Sequence, residues 1–433
     1  MQTPREICLK LLVSTEKNAS YSNIALDNTL SKYTQLKDVD RRFISALYYG
    51  VIERKITLDA VINKYSQRPS EKLSDAVRQI LRMGIYQLLY MDTVPDNAAV
   101  NESVILAKEN KREAVAGFVN ALLRSFIRDG KKLPLTGVKL NDLSIEYSCP
   151  QWLIKMWQDD YGNEVLSSML RSSVGKPPVT VRLNTCKFSL DDILHSLDSD
   201  GVEYKLYDFP SNCAELMRCG SVERLDAYKK GMLHVQDASC QICAVELGAK
   251  SGDRVLDVCS APGGKAFTIA EIMDDKGEIL AFDLHKNRVR LIQQGAKRLG
   301  LEIIRARENN AKVFSSDIGE ADAVLCDVPC SGLGVIRRKP EIKYGDCESI
   351  KNLPSVQYDI LCCSSRYVKK GGVLVYSTCT INRSENDNIA KRFLAEHEDF
   401  EPVKLNNFSD YKATITPDDF GSDGFFIAKF RRK

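Results

Sequence analysis

Three short stretches carry side chains that could do chemistry. In one, the apolar run Ala323-Val324-Leu325-Cys326 ends abruptly in Asp327, Pro329 and Cys330. Such a run reads as a short strand covered on both faces, and open α/β sheets bind ligands just beyond the C-terminal ends of their strands. An acid there can hold a polar substrate edge. A thiol there is either a nucleophile or a small buried hydrophobe, and one cysteine by itself does not decide between them. In the second stretch, a strand over 254–259 runs into the sharp turn Ser260-Ala261-Pro262-Gly263-Gly264-Lys265 and then a helix over 266–272. In the third, residues 372–379 read as a strand that carries Cys379 at its end.

The turn at 260–265 suits a nucleoside cofactor. Gly263 and Gly264 let the backbone approach a ligand closely, and the helix start beyond them can receive a carboxylate or phosphate. Asp283 closes the strand at 279–283, where nucleoside-binding sheets set an acid against ribose hydroxyls. S-adenosylmethionine fits both features, its amino-acid end at the turn and its ribose at Asp283. Neither G-x-G-x-x-G nor G-x-x-x-x-G-K-[ST] occurs there, so the dinucleotide and P-loop fingerprints are absent.

The rest of the chain must position these groups. At 433 residues, 44% apolar and 27% charged, it exceeds what one core usually fills, which predicts two or three domains. Helical spacing runs through Leu11 and Leu12; Phe43, Leu47 and Val51; Leu58, Val61 and Ile62; Val77, Ile80, Leu81, Ile85 and Leu88; Val100, Val104 and Ile105; and Val119, Leu122, Leu123 and Phe126. Strand-like alternation is missing up to about residue 130, so residues 1–135 are expected to form an all-α bundle opened by the capping box Thr3-Pro4-Arg5-Glu6. Residues 140–231 read as a small α+β module, with Trp152 and Trp157 as core anchors in its first helix and a half-buried strand at 179–184. Residues 232–433 alternate strands and helices, which predicts a parallel, Rossmann-like α/β sheet.

Charge and cysteine usage exclude less. A net charge of +3 identifies no nucleic-acid partner. Basic residues on the N-terminal helices (Arg41, Arg42, Arg54, Lys55, Arg78, Arg82, Lys111, Arg112, Arg124, Arg128) form either a solvated face or an auxiliary contact to an RNA backbone. The 14 cysteines have no secretory pattern and read as reduced thiols, and neither the lone Cys240/Cys243 pair nor the four histidines have metal-ligand spacing, so no metal is expected. A helix opens where a signal peptide would need an apolar run, and no apolar stretch approaches a membrane span; a cytoplasmic protein, off the membrane, is the expectation.

Taken together, DVCSAPGGK at 257–265, CDVPCSGLGVIRRKPEIK at 326–343 and YSTCT at 376–380 followed by Glu385-Asn386 resemble, in order and spacing, the RNA cytosine-C5 methyltransferases of the Sun/Nop2 family. The N-terminal stretches NAAVNE at 97–102 and GFVNALLR at 117–124 look like the NusB-type RNA-binding domain fused to one bacterial branch of it, the Sun or Fmu type. The resemblance implies a NusB-like bundle, an RRM-like middle module and a Rossmann-like methyltransferase domain. It also implies S-adenosylmethionine as donor and a cytosine of 16S rRNA as acceptor. Free rRNA or an assembling small subunit is the expected partner, and a monomer the expected state. A non-catalytic RNA-binding or antitermination protein is the alternative, and it leaves the donor turn and Cys379 without a purpose.

By the same resemblance Cys379 matches the attacking thiol, Cys330 the cysteine that assists product release, and Lys265 a lysine near base and donor. That placement assigns the attack to Cys379 and leaves Cys330, which its position past a strand end also makes a candidate nucleophile, the part in release. Cytosine C5 is a poor nucleophile, so a thiolate must first add to C6. Asp327 is suited to the N3 edge of the ring, a role that asks for a shared or donated proton. The donor is expected against Cys259, Ser260, Ala261, Pro262, Gly263, Gly264, Lys265, Asp283 and Asp327. The family's third-strand aspartate has no counterpart; Asn310 is its expected replacement, with Glu308 the other possibility. Arg337, Arg338 and Lys339 stand where phosphates flanking the target base would lie.

Overall fold

The computed structural model describes residues 2–18, 22–109 and 113–433. They form two compact units, Met1–Lys176 with Ile336–Gly345, and Pro177–Val335 with Asp346–Lys433.

The first unit is helical. Its opening helix, Pro4–Asn18, starts on the expected capping box: Glu6 N donates to Thr3 Oγ1 at 3.2 Å, and Thr3 N donates to Glu6 Oε2 at 2.7 Å. Ile7, Leu11, Leu47, Val51, Ile80, Leu81, Val119, Leu122 and Phe126 meet in one core, as their spacing predicts. Ile105 departs from the expected pattern: it is 45% exposed, while Val100 on the same helix is buried. Two of the basic residues weighed as RNA contacts are internal instead. Arg82, 3% exposed, pairs with Asp59 and Glu16, and Arg78 with Glu16 and Asp75. Arg41 donates to the carbonyls of Leu30, Tyr33 and Leu36. Periodicity could not tell these arginines from surface ones, because Glu16, Asp59 and the carbonyls of Leu30, Tyr33 and Leu36 come from outside the arginines' own helices. Arg42, Arg124 and Arg128 are exposed; Lys111 and Arg112 lie outside the described residues.

The segment Ile336–Gly345 packs within this helical unit. Glu341 accepts from Ser22 N and Oγ at 3.0 and 2.7 Å, and the Tyr344 hydroxyl donates to Glu53 O at 2.6 Å.

The second unit holds two sheets. β1 (Val179–Leu183), β2 (Glu203–Leu206), β3 (Cys213–Met217) and β4 (Leu233–Val235) form an antiparallel sheet in the order β2-β3-β1-β4, with the helix Leu190–Ser199 between β1 and β2. Next come β5 (Arg254–Asp257), β6 (Glu278–Asp283), β7 (Ile304–Glu308), β8 (Ala321–Asp327), β9 (Val368–Thr378), β10 (Phe400–Pro402), β11 (Lys412–Ile415) and β12 (Phe425–Arg432). They build a mixed sheet in the order β10-β12-β9-β8-β5-β6-β7, with β11 paired to β12. β5 to β9 run parallel and β12 antiparallel to β9. Chain order reverses between β5 and β8, so the crevice beyond their C-terminal ends is the expected ligand position.

A buried polar link ties the small sheet to the large one. Arg182 on β1 donates to Glu271 on the helix Gly264–Ile272 at 2.9 Å, both side chains no more than 4% exposed, and also to Ser211 O at 2.6 Å. Burial drives the Glu271 carboxyl up to about 7, against the pull of Arg182. Removing one member of such a pair strands the other without solvent. Arg182→Ala is therefore expected to lower unfolding free energy by about 3–5 kcal/mol in a denaturant titration; a change below about 1 kcal/mol would show the link to be dispensable.

Candidate active site at the ends of the parallel strands

The site begins with the turn after β5. Ser260 N donates to Phe282 O at 2.7 Å and Gly263 N to Ser260 O at 2.7 Å, which folds the turn back between two strands. Gly263 has φ +110°, and a Cβ there would stand 2.4 Å from the Phe267 ring, so both backbone and space demand glycine. The helix starting at Gly264 then points Lys265 across the crevice. Its Nζ donates to Asp327 Oδ2 at 2.7 Å, and Ser377 Oγ on β9 donates to Asp327 Oδ1 at 2.8 Å. Burial opposes the lysine's charge, but the carboxylate of Asp327 outweighs it and holds Lys265 well above its ordinary value.

The two cysteines converge from different loops. Cys330, three residues past β8, and Cys379, the first residue past β9, place their Sγ atoms 3.1 Å apart, both half-buried. The hydrogen bond with Cys379, with burial added, pushes the Cys330 thiol well above its usual range. The loop carrying Cys330 is sewn to the strand ends: Gly334 N donates to Cys379 O at 3.1 Å and Gly424 N to Gly334 O at 2.9 Å. A Cβ on Gly334 would lie 1.9 Å from Gly424 O, so no side chain fits there.

Asp283 ends β6, is 7% exposed, and accepts from His285 N at 2.9 Å. Glu308, the last residue of β7, pairs in register with Asp283. Asn310 is exposed, and its Oδ1 accepts from Lys312 N at 3.1 Å. Cys259, Ser260, Ala261 and Pro262 lie in the turn after β5, with Ser260 buried. Arg337, Arg338 and Lys339 are half-buried and belong to the segment that packs with the helical unit.

Sequence patterns assign no role to three groups, Asp257, Glu385 and Gln357, although the first two fall within the motifs. Asp257, the last residue of β5, is 1% exposed and neither carboxylate oxygen has a hydrogen-bond partner, and Ser260 Oγ is equally orphaned. Burial pushes the Asp257 carboxyl up to about 7. Its signal was available, since an acid closing a buried strand is the pattern that singled out Asp283 and Asp327. Glu385 and Gln357, both fully buried, contact the residues beside Cys330. Gln357 sits within a helix, Leu353–Ser365, and nothing in its spacing marks it.

A parallel sheet extended by antiparallel β12, with acids closing β5, β6 and β8 around a glycine turn, defines a Rossmann-like methyltransferase domain. Comparison with known proteins narrows the class. Residues 244–431 match the family described as 16S rRNA methyltransferase RsmB/F, residues 2–128 the NusB family, and residues 149–223 the ferredoxin-like domain of RsmF/B-like methyltransferases. The probable ribosomal RNA small subunit methyltransferase B of Bacillus subtilis is 38% identical, covering 99% of this chain and 98% of its own. Its Escherichia coli counterpart is 33% identical, covering 94% and 95%. The crystal structure of PH0851 has a TM-score of 0.84 at 25% identity, covering 100% of this chain and 99% of that one. The chain therefore belongs to the 16S rRNA methyltransferase RsmB/F family.

That result bears out the resemblance, and with it the helical NusB-like, ferredoxin-like and methyltransferase architecture. S-adenosylmethionine is the methyl donor. The residues present fit it: a glycine turn bare of side chains, the buried acid Asp283 one strand over, and the orphaned carboxyl of Asp257 at the end of β5. Among the described residues no group of histidine, cysteine and acid side chains could hold a metal ion, and no helix is long and apolar enough to cross a membrane.

Proposed function

We propose that this enzyme methylates C5 of a cytosine in 16S rRNA through a covalent bond between Cys379 and C6. The observation that carries the reading is the pair of thiols 3.1 Å apart beside an acid held by a lysine. Methylation of a base nitrogen or of ribose needs no thiol; addition to C6 of a pyrimidine needs one to attack, and a second thiol within hydrogen-bonding distance of the first can assist its departure.

The thiolate of Cys379 supplies an electron pair to form the C6–S bond, and the C5–C6 π electrons move into the ring toward N3. Asp327 and Lys265 act there as a pair. Asp327 accepts from both Lys265 and Ser377, so the proton shared with N3 comes by way of the ammonium of Lys265. The donor, when bound, supplies an electrophilic methyl group to the enamine-like C5. The C5 proton then leaves to a base, its electrons restore the C5–C6 double bond, and the C6–S bond breaks. The S–H of Cys330 hydrogen-bonds the departing thiolate of Cys379.

Cys259, Ser260, Ala261, Pro262, Gly263, Gly264 and Asp283 hold the donor in this reading, and Asn310 or Glu308 lies at its adenine. Residues 1–135, 140–231 and 232–433 act as RNA-binding, RRM-like and catalytic modules of a cytoplasmic monomer. The acceptor is free 16S rRNA or an assembling small subunit. Incubation with labelled S-adenosylmethionine and unmodified 16S rRNA, followed by nucleoside digestion, tests the chemistry. Label should appear in 5-methylcytidine; label in any other nucleoside would overturn the assignment.

Arg337, Arg338 and Lys339 contact phosphates around an extruded base. Arg338→Glu is expected to weaken rRNA binding and reduce the slope of log affinity against log salt by about 1, with donor affinity retained. Equal loss of both affinities would show damage to the fold in place of a phosphate contact.

A further inference from the structure

Two adjacent residues touch the neighbours of both thiols. Glu385, 0% exposed, accepts from Ser331 N at 2.9 Å, Ser331 Oγ at 2.5 Å, Gln357 Nε2 at 2.8 Å and Asn382 Nδ2 at 3.0 Å. The same Gln357 nitrogen donates to Pro329 O at 3.0 Å. Pro329 and Ser331 flank Cys330, so the Gln357–Glu385 pair grips the chain on both sides of that thiol. Asn386, also fully buried, does the equivalent on the other strand. Its Oδ1 accepts from Thr378 Oγ1 at 2.6 Å and its Nδ2 donates to Thr380 O at 2.9 Å, the residues on either side of Cys379. The dipeptide is itself held, because the Tyr376 hydroxyl donates to Glu385 O at 2.5 Å.

We propose that Glu385 and Asn386 are a pair of positioning residues with divided duties, Glu385 setting the thiol of Cys330 and Asn386 setting the thiol of Cys379. Physical economy supports the division. Both thiols ride on loops, and a loop backbone drifts unless its polar groups are tied. Displacing a reacting atom by about 1 Å can cost on the order of 100-fold in rate. A buried carboxylate can take several donors at once, whereas an amide offers one acceptor and one donor in fixed directions. The carboxylate gathers the donors that converge around Ser331. The amide spans the Thr378 hydroxyl and the Thr380 carbonyl, an acceptor–donor match that aspartate could not make.

The inference rests on the covalent mechanism proposed above, and the test separates the two. Glu385→Gln and Asn386→Ala are compared with wild type and Cys330→Ala, using labelled donor and 16S rRNA, with first-turnover rate, steady-state rate and denaturant-resistant protein–RNA adduct as readouts. Glu385→Gln should retain a first turnover near wild type, lose steady-state rate by on the order of 100-fold, and trap adduct as Cys330→Ala does. Asn386→Ala should lose the first turnover by a similar factor and trap none. Gln357→Leu removes the donor shared by Pro329 O and Glu385, and Thr378→Val the hydroxyl that reaches Asn386; both leave Glu385 and Asn386 in place and should reproduce each pattern in milder form if the larger changes prevent folding. Identical behaviour of the two limbs, whether both inert or both wild-type, would overturn the division of duties. If Cys330→Ala itself traps nothing while wild type methylates cytosine, the release role of Cys330 falls, and the Glu385 limb falls with it.

Discussion

Cys379→Ala should lose methyl transfer to 16S rRNA by roughly four or more orders of magnitude while keeping its affinity for S-adenosylmethionine. The size of the effect follows from the chemistry: without a bond to C6, cytosine C5 has no electron density to offer a methyl cation equivalent, and orientation alone cannot create it. The fold should survive the change, because Cys379 is half-buried and Thr378 and Thr380 on either side keep their bonds to Asn386. Calorimetric titration of the donor and a labelled-methyl assay on the same preparation provide the check. Retention of full activity would end the covalent mechanism as written.

Cys330→Ala should fail differently. Its first methyl transfer should proceed and its turnover then stop, with a protein–RNA species that survives denaturing electrophoresis. Cys330 lies 3.1 Å from the sulfur that must leave, near enough to hydrogen-bond a departing thiolate, and alanine offers no S–H. The pair of variants also decides which thiol attacks. Were Cys330 the nucleophile, the stable adduct would form in Cys379→Ala and be absent from Cys330→Ala, the reverse of the expected result. No adduct in either variant would leave Cys330 without a part in release.

Much of this was legible in the chain because it depends on local order. Strand runs ending in Asp283 and Asp327 mark the carboxyl edge of a parallel sheet, and the Gly263-Gly264 pair marks the sharp turn that Gly263 makes at φ +110°. The capping box at Thr3 and the apolar spacing of the N-terminal helices likewise involve residues a few positions apart, so the pattern and the contact coincide. Residue types in motif order were enough to identify the methyltransferase family and its donor.

Contacts distant in sequence were another matter. Arg78 and Arg82 read as surface charges until Glu16 and Asp59 arrive from other helices to neutralise them. Asp257 carries the same local signal as Asp283 and Asp327, yet only burial makes it an orphaned carboxyl. Gln357 is one polar residue on a helix until folding brings it against Pro329 and Glu385. The sequence by itself therefore determined the class of chemistry, the donor and the candidate thiols, since these follow from side-chain type and local spacing. Only the tertiary structure decided that the thiols meet, and that adjacent residues of one loop hold the flanks of both. Distance and solvent exclusion arise when strands far apart in the chain pack side by side, and no spacing rule contains them.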